Sequence, residues 1–111
     1  MNCRRGEVVT CAPPGEFGKP RSAVVVQSDL FNASHASVTL CPITSHDADA
    51  PLFRVTLVPT AGNGLKRASQ AMVDKLTILR ADRIGSVVGQ LSDDELTHLD
   101  EAILRWLGLR G

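Results

Sequence analysis

The stretch Lys19-Pro20-Arg21-Ser22-Ala23-Val24-Val25-Val26-Gln27-Ser28-Asp29 constrains this chain more than any other. Its apolar middle, residues 23–26, is short, rich in β-branched side chains and bounded by turn formers, so it reads as a strand covered on both faces. Pro20 has no amide proton and restricts the residue before it, which stops a helix from running into that strand. Arg21 therefore stands where a loop meets a rigid element. A side chain there is held by the scaffold and still reached by solvent, which suits a functional group.

The layers that cover such a strand come in short pieces. Residues 4–11 read as a first strand, with Val8, Val9 and Cys11 available to a core. Residues 12–20 hold three prolines and two glycines in nine positions, a loop by composition and long for a hairpin, as functional loops often are. Residues 32–35 turn the chain. Residues 37–43 alternate as a third strand, with Pro42 placing its far end at a sheet edge. Residues 44–51, with His46, Asp47 and Asp49, form a second exposed loop. Residues 52–58 put Phe53, Val55 and Leu57 on one face and Arg54 and Thr56 on the other.

Gly62, Asn63 and Gly64 mark a turn within residues 59–65. Residues 71–79 read as one strand, residues 80–83 as a helical turn and residues 85–91 as a short strand. The end of the chain is helical. Ser92-Asp93-Asp94-Glu95 is a capping box whose acidic groups also suit the positive end of the helix dipole. Leu96, Leu99, Ala102, Ile103, Trp106 and Leu107 form one apolar stripe, and Gly108 sits where a C-terminal stop belongs. The fold expected is α+β, mainly β: a small, bent antiparallel sheet or barrel sealed by one C-terminal amphipathic helix.

At 111 residues, one domain over 1–111 is expected, with a single core able to bury roughly two-thirds of the unfolded surface. Twelve basic residues balance twelve acidic ones, so polyanion binding must come from local placement of charge. Cys3, Cys11 and Cys41 show no metal or CxxC spacing and read as apolar fillers in a reducing compartment. Neither a secretory signal nor an apolar run near the ~20 residues of a membrane span is visible. A soluble cytoplasmic protein without metal or cofactor is the expectation.

Taken together, these pieces resemble the MazF/PemK family of toxin endoribonucleases from bacterial type II toxin–antitoxin modules. Arg5-Gly6-Glu7-Val8-Val9 resembles the family's opening strand, and Gly15-Glu16 with residues 19–29 resembles its G-x-E loop and R-P-x-h-h-h-Q-x-D strand. Pro42-Ile43-Thr44-Ser45 resembles the third-strand P-h-T-[ST] signature. Gly64-Leu65, Ser69 and Met72-Val73-Asp74-Lys75 resemble the later G-L…S-x-x-M-h-D/E-Q segment. The order and spacing of these pieces make the resemblance specific, and it covers nearly the whole chain. Two departures are visible: Ser22 follows the arginine where a proline is usual, and Lys75 replaces a glutamine that reads bases. The resemblance implies an SH3-like barrel with a C-terminal helix, a homodimer with RNA between its subunits, and a MazE-like antitoxin whose disordered segment occupies that groove.

RNA cleavage of this kind drives the ribose 2′-hydroxyl onto the adjacent phosphorus, and the site must move protons and stabilise growing charge on phosphate oxygens. The Arg21 fork matches phosphate and stays charged. Thr44 and Ser45 bring hydroxyls to the end of the third strand. The resemblance makes Arg21 and Thr44 catalytic. Arginine offers no acceptor for a proton, so Glu16 is the candidate for proton transfer or RNA contact, with His46 read as a solvated loop residue. Phe17 is the one well-placed aromatic for base stacking. By the resemblance, Gln27, Asp74 and Lys75 contact bases; Arg5 and Lys19 are candidates for backbone phosphates by their charge, with a solvated surface charge as the alternative.

Two rival readings share the fold. CcdB-type toxins poison DNA gyrase through a helix end to which Trp106-Leu107-Gly108-Leu109 is loosely similar, although Trp106 falls on the apolar stripe, where burial or dimer packing is its expected use. An SH3-like binding module would need an aromatic groove, and aromatic residues are only 4% of this chain.

Overall fold

The computed structural model describes residues 2–15 and 19–110. Seven antiparallel strands and one long helix account for most of it. The strands are β1 (Glu7–Cys11), β2 (Arg21–Val25), β3 (Ser37–Thr44), β4 (Arg54–Leu57), β5 (Ser69–Met72), β6 (Thr77–Arg80) and β7 (Ile84–Gln90). A four-residue helix α1 (Asp29–Asn32) follows β2, and α2 (Asp93–Trp106) ends the chain. No helix among the described residues is long and apolar enough to cross a membrane.

The sheet runs β4-β5-β3-β2-β1-β7, with β6 also paired to β3. Strand β3 is the hub. One of its edges pairs with β2 (Val24↔Cys41), while along the other Val38↔Leu79 joins β6 and Ile43↔Ala71 joins β5. Pro42 sits between the last pair with β6 (Leu40↔Thr77) and the first with β5, where the partner strand changes and the sheet bends. It is therefore inside a central strand, not at an edge as its residue type suggested. The expected single strand over residues 71–79 is likewise two strands. A 3₁₀ turn, Val73–Lys75, interrupts it: the Val73 amide still donates to Phe53 O at 3.0 Å, in register with the β4–β5 ladder, and the chain then turns toward β6.

Residues 23–26 behave as their composition requires. Val24 and Val25 have no exposed surface and point to opposite sides. Val25 joins Val9, Val38, Leu40 and Leu79 in one core, and Val24 joins Val8, Cys41, Leu57 and Leu99 in another. The first lies in the curl made by β6 and β7, and the second under β4, β5 and α2. Cys3, Cys11 and Cys41 are all buried free thiols, with burial pushing Cys41 up to about 12.

The barrel is not closed strand to strand. Among the described residues no ladder joins β4 to β7, and the turn after β4 bridges them instead. Gln90 N donates to Gly62 O at 2.8 Å. Asn63 is fully buried, and its Oδ1 accepts from Thr60 N and Leu65 N while its Nδ2 donates to Val58 O and Glu95 Oε2. Glycine is obligatory at this seam. A Cβ on Gly89 would lie 2.3 Å from the Asn63 carbonyl, and one on Gly64, whose φ is +69°, 2.1 Å from Val88 O. The capping box adds the helix to the same seam, since Glu95 Oε1 accepts from Ser92 N at 2.8 Å.

Candidate RNA-cleaving site

Strand pairing brings the two principal sequence candidates together. Arg21 opens β2 opposite Cys11 of β1, and Thr44 ends β3, with β2 and β3 neighbours in the sheet. Both line a cleft of ≈ 450 Å³ that Ser45 and His46 also border, and both line an adjoining cleft of ≈ 340 Å³ with Lys75. Arg21 is exposed and Thr44 half-buried. Thr44 Oγ1 accepts the backbone amide of His46 at 3.1 Å. The oxygen is thereby oriented, and the hydroxyl keeps its own proton to donate. The first cleft also holds Lys66 and Arg67 from the chain between the closing turn and β5. These two were not among the sequence candidates. Their only local signal is adjacency to each other, since the turn around Asn63 decides where they point.

Other candidates have different surroundings. Arg5 donates from Nε to Val26 O at 3.1 Å, and both terminal nitrogens bind the Asp100 carboxylate, which ties β1 to α2. Gln27 Nε2 donates to Asn32 Oδ1 and Ser37 O, while its Oε1 accepts from Thr39 N at 3.1 Å. Asp74 accepts from Arg54 Nε at 2.8 Å, and that guanidinium holds its carboxyl below the usual carboxylate range. Arg5, Gln27 and Asp74 thus each hold a partner within the chain, and none of the three lines the Arg21 clefts. Lys19 is exposed on the loop side of Pro20. Glu16 and Phe17 lie outside the described residues. Trp106 packs on Phe53 with ring centroids 5.6 Å apart and stays 48% exposed in the single chain, so of the two expected uses, burial and dimer packing, the first is only partly met.

A further cleft of ≈ 550 Å³ lies against α2, but its charges are mixed: Asp49 and Glu101 face Arg54 and Arg105. A polyanion gains little from such a wall. The clefts at Arg21 carry Lys66, Arg67 and Lys75 and are bordered by no described acidic residue.

The comparisons with known proteins agree with this architecture. A family profile described as "PemK-like, MazF-like toxin of type II toxin-antitoxin system" matches residues 4–107. The chain is 40% identical to the "Probable endoribonuclease MazF" of Mycolicibacterium smegmatis over 97% of this chain and 99% of that protein. It is 32% identical to "Endoribonuclease MazF9" of Mycobacterium tuberculosis, over 96% and 97% of the two chains. Among solved structures, a mycobacterial endoribonuclease in complex with its cognate antitoxin superposes with a TM-score of 0.82 at 20% identity, covering 98% of each chain. A MazE–MazF complex from Deinococcus radiodurans gives 0.79 at 22%, covering 97% of each. These matches exceed what a shared barrel alone would give, and the chain belongs to the PemK-like, MazF-like toxins of type II toxin–antitoxin systems.

Proposed function

We propose that Arg21 and Thr44 form the reaction centre of this toxin, an endoribonuclease that cuts single-stranded RNA without a metal ion. The observation that supports it most is the convergence of both residues, from different strands, on the same two adjoining clefts. In the reaction the ribose 2′-oxygen bonds to the neighbouring phosphorus and the bond from phosphorus to the 5′-oxygen breaks, leaving a 2′,3′-cyclic phosphate and a 5′-hydroxyl. The 2′-hydroxyl proton leaves to a base, and the departing 5′-oxygen takes one up. Charge grows on the non-bridging oxygens between these events. The Arg21 guanidinium meets that charge with two donors, and the Thr44 hydroxyl supplies a third.

Glu16 is the candidate for RNA contact or for assisting proton transfer. His46 competes with it, since it lines the same cleft and imidazole exchanges protons readily near neutral pH. Lys75 and Ser45 lie close enough to the reacting groups to contact flanking nucleotides, and Lys66 and Arg67 add phosphate contacts. The chain works as a homodimer with RNA between its subunits, and its antitoxin is MazE-like, with a disordered segment in the same groove. Solved relatives in complex with antitoxin support that partnership. The buried thiols suit the reducing cytoplasm, where we infer that it acts.

The test is cleavage of an unstructured RNA in chelator with chemical mapping of the new ends. Cyclic phosphate ends and a folded but inactive Arg21→Ala protein are expected. A Thr44→Val protein should retain more activity than Arg21→Ala. Gyrase-dependent DNA breaks without RNA cleavage would instead support the CcdB-like reading.

A further inference from the structure

We propose that the cleft beside the 3₁₀ turn Ala81–Arg83 is an additional phosphate subsite for the same RNA strand, with Arg83 as the residue that holds it. The proposal rests on the endoribonuclease reading and extends it beyond the scissile phosphate. This cleft measures ≈ 600 Å³ and is continuous with the reaction centre. It shares Thr10 and Pro20 with the cleft of Arg21 and Thr44, and Cys11 with the cleft of Lys75. A strand carries one phosphate per nucleotide, so RNA that leaves Arg21 on this side brings its neighbouring phosphates along these walls.

Charge separates Arg83 from three other arginines. Arg5 pairs with Asp100, Arg54 with Asp74 and Arg80 with Asp82. Among the described residues no carboxylate pairs with Arg83, and the same holds for Lys66, Arg67 and Lys75, which line the adjoining clefts. Arg80 and Asp82 line the same cleft and match each other's charge, which leaves Arg83 as its net positive charge.

The backbone under Arg83 is fixed while its side chain is exposed. Ala12 N donates to Arg83 O at 2.9 Å, and the next residue, Ile84, is buried opposite Cys11. The β1–β7 ladder shifts register between Val9 and Cys11, where Ser86 N donates to Thr10 Oγ1 at 2.9 Å. A Cβ on Gly85 would lie 2.6 Å from that oxygen, so glycine permits the close approach. Such a bulge re-aims side chains at a sheet margin, and here it sits at the floor of the cleft.

The experiment uses a fully 2′-O-methylated copy of an RNA that the wild-type protein cuts, so that binding is read without cleavage. One single-stranded phosphate contact contributes about 0.7 to the slope of log affinity against log salt, or about five-fold in affinity at 0.1 M salt. Arg83→Ala is expected to lose that much slope and affinity, and Arg83→Lys to keep most of both. A neutral methylphosphonate scanned along the RNA should weaken the wild type at one position where Arg83→Ala no longer responds. An unchanged slope and an unchanged scan for Arg83→Ala would overturn the subsite while leaving the reaction centre intact. Loss of antitoxin affinity alone, with RNA binding unaltered, would overturn it too. Failure of the wild type to cut any RNA would strike the underlying reading instead.

Discussion

Around Asn63 the side-chain amide is fully committed inside the protein, its oxygen to two amides and its nitrogen to Val58 O and Glu95. A few residues further on, Lys66 and Arg67 stand exposed in the cleft with no carboxylate partner among the described residues. One loop therefore holds both a fully satisfied buried polar seam and part of an open basic surface. The contrast teaches a division of labour. Buried polar groups that are completely satisfied specify where the chain goes, and charges left to solvent can be offered to a ligand. The arginines divide in the same way, Arg5 and Arg54 tying elements together and Arg83 facing a cleft.

The division can be broken from either side. Arg21→Ala should lower RNA cleavage by about 10²–10³-fold, the usual cost of one donor to a developing anion, with the thermal midpoint nearly unmoved. Gly89→Ala should do the reverse. Its Cβ would press on the Asn63 backbone at 2.3 Å, costing about 3 kcal/mol or more in denaturant titrations while folded protein still cuts. Replacing both Lys66 and Arg67 by alanine should reduce the salt slope of RNA binding by about 1.4 without changing stability. A stability loss there would mean that the two halves of the loop are not separable.

The smallest effect belongs to Asp74. Its folded carboxyl titrates below the ordinary range because Arg54 holds it, so the pair stabilises the fold above the unfolded value of about 3.9. That contribution disappears as pH falls through the folded value. Asp74→Asn should cost about 1 kcal/mol at neutral pH and flatten the acid limb of a midpoint-against-pH curve.

Which of these roles could be read from the chain depended on distance along it. The doubly covered strand and the capping box rest on local patterns, and they were legible; Arg21 and Thr44 were joined by the family resemblance alone. The internal partners of two candidates were not legible, since Asp100 lies 95 residues from Arg5 and Arg54 lies 20 from Asp74. Residues 71–79 looked continuous because nothing in their own pattern marks the 3₁₀ turn that separates β5, paired with β3 and β4, from β6, paired with β3 alone. Pro42 looked like an edge residue because a central strand can change partners at a proline only when two short strands share one margin. Lys66, Arg67 and Arg83 had no motif of their own, since the turns that precede them set their direction.

The two oxygens of Glu95 carry a dynamic consequence. One caps the helix and the other grips the turn that stands in for the missing ladder between β4 and β7. Fraying of the first helical turn and parting of the sheet margin are then a single opening event. In native-state hydrogen exchange the amides of Leu96 and Gln90 should share one protection free energy and lose it together in Glu95→Ala.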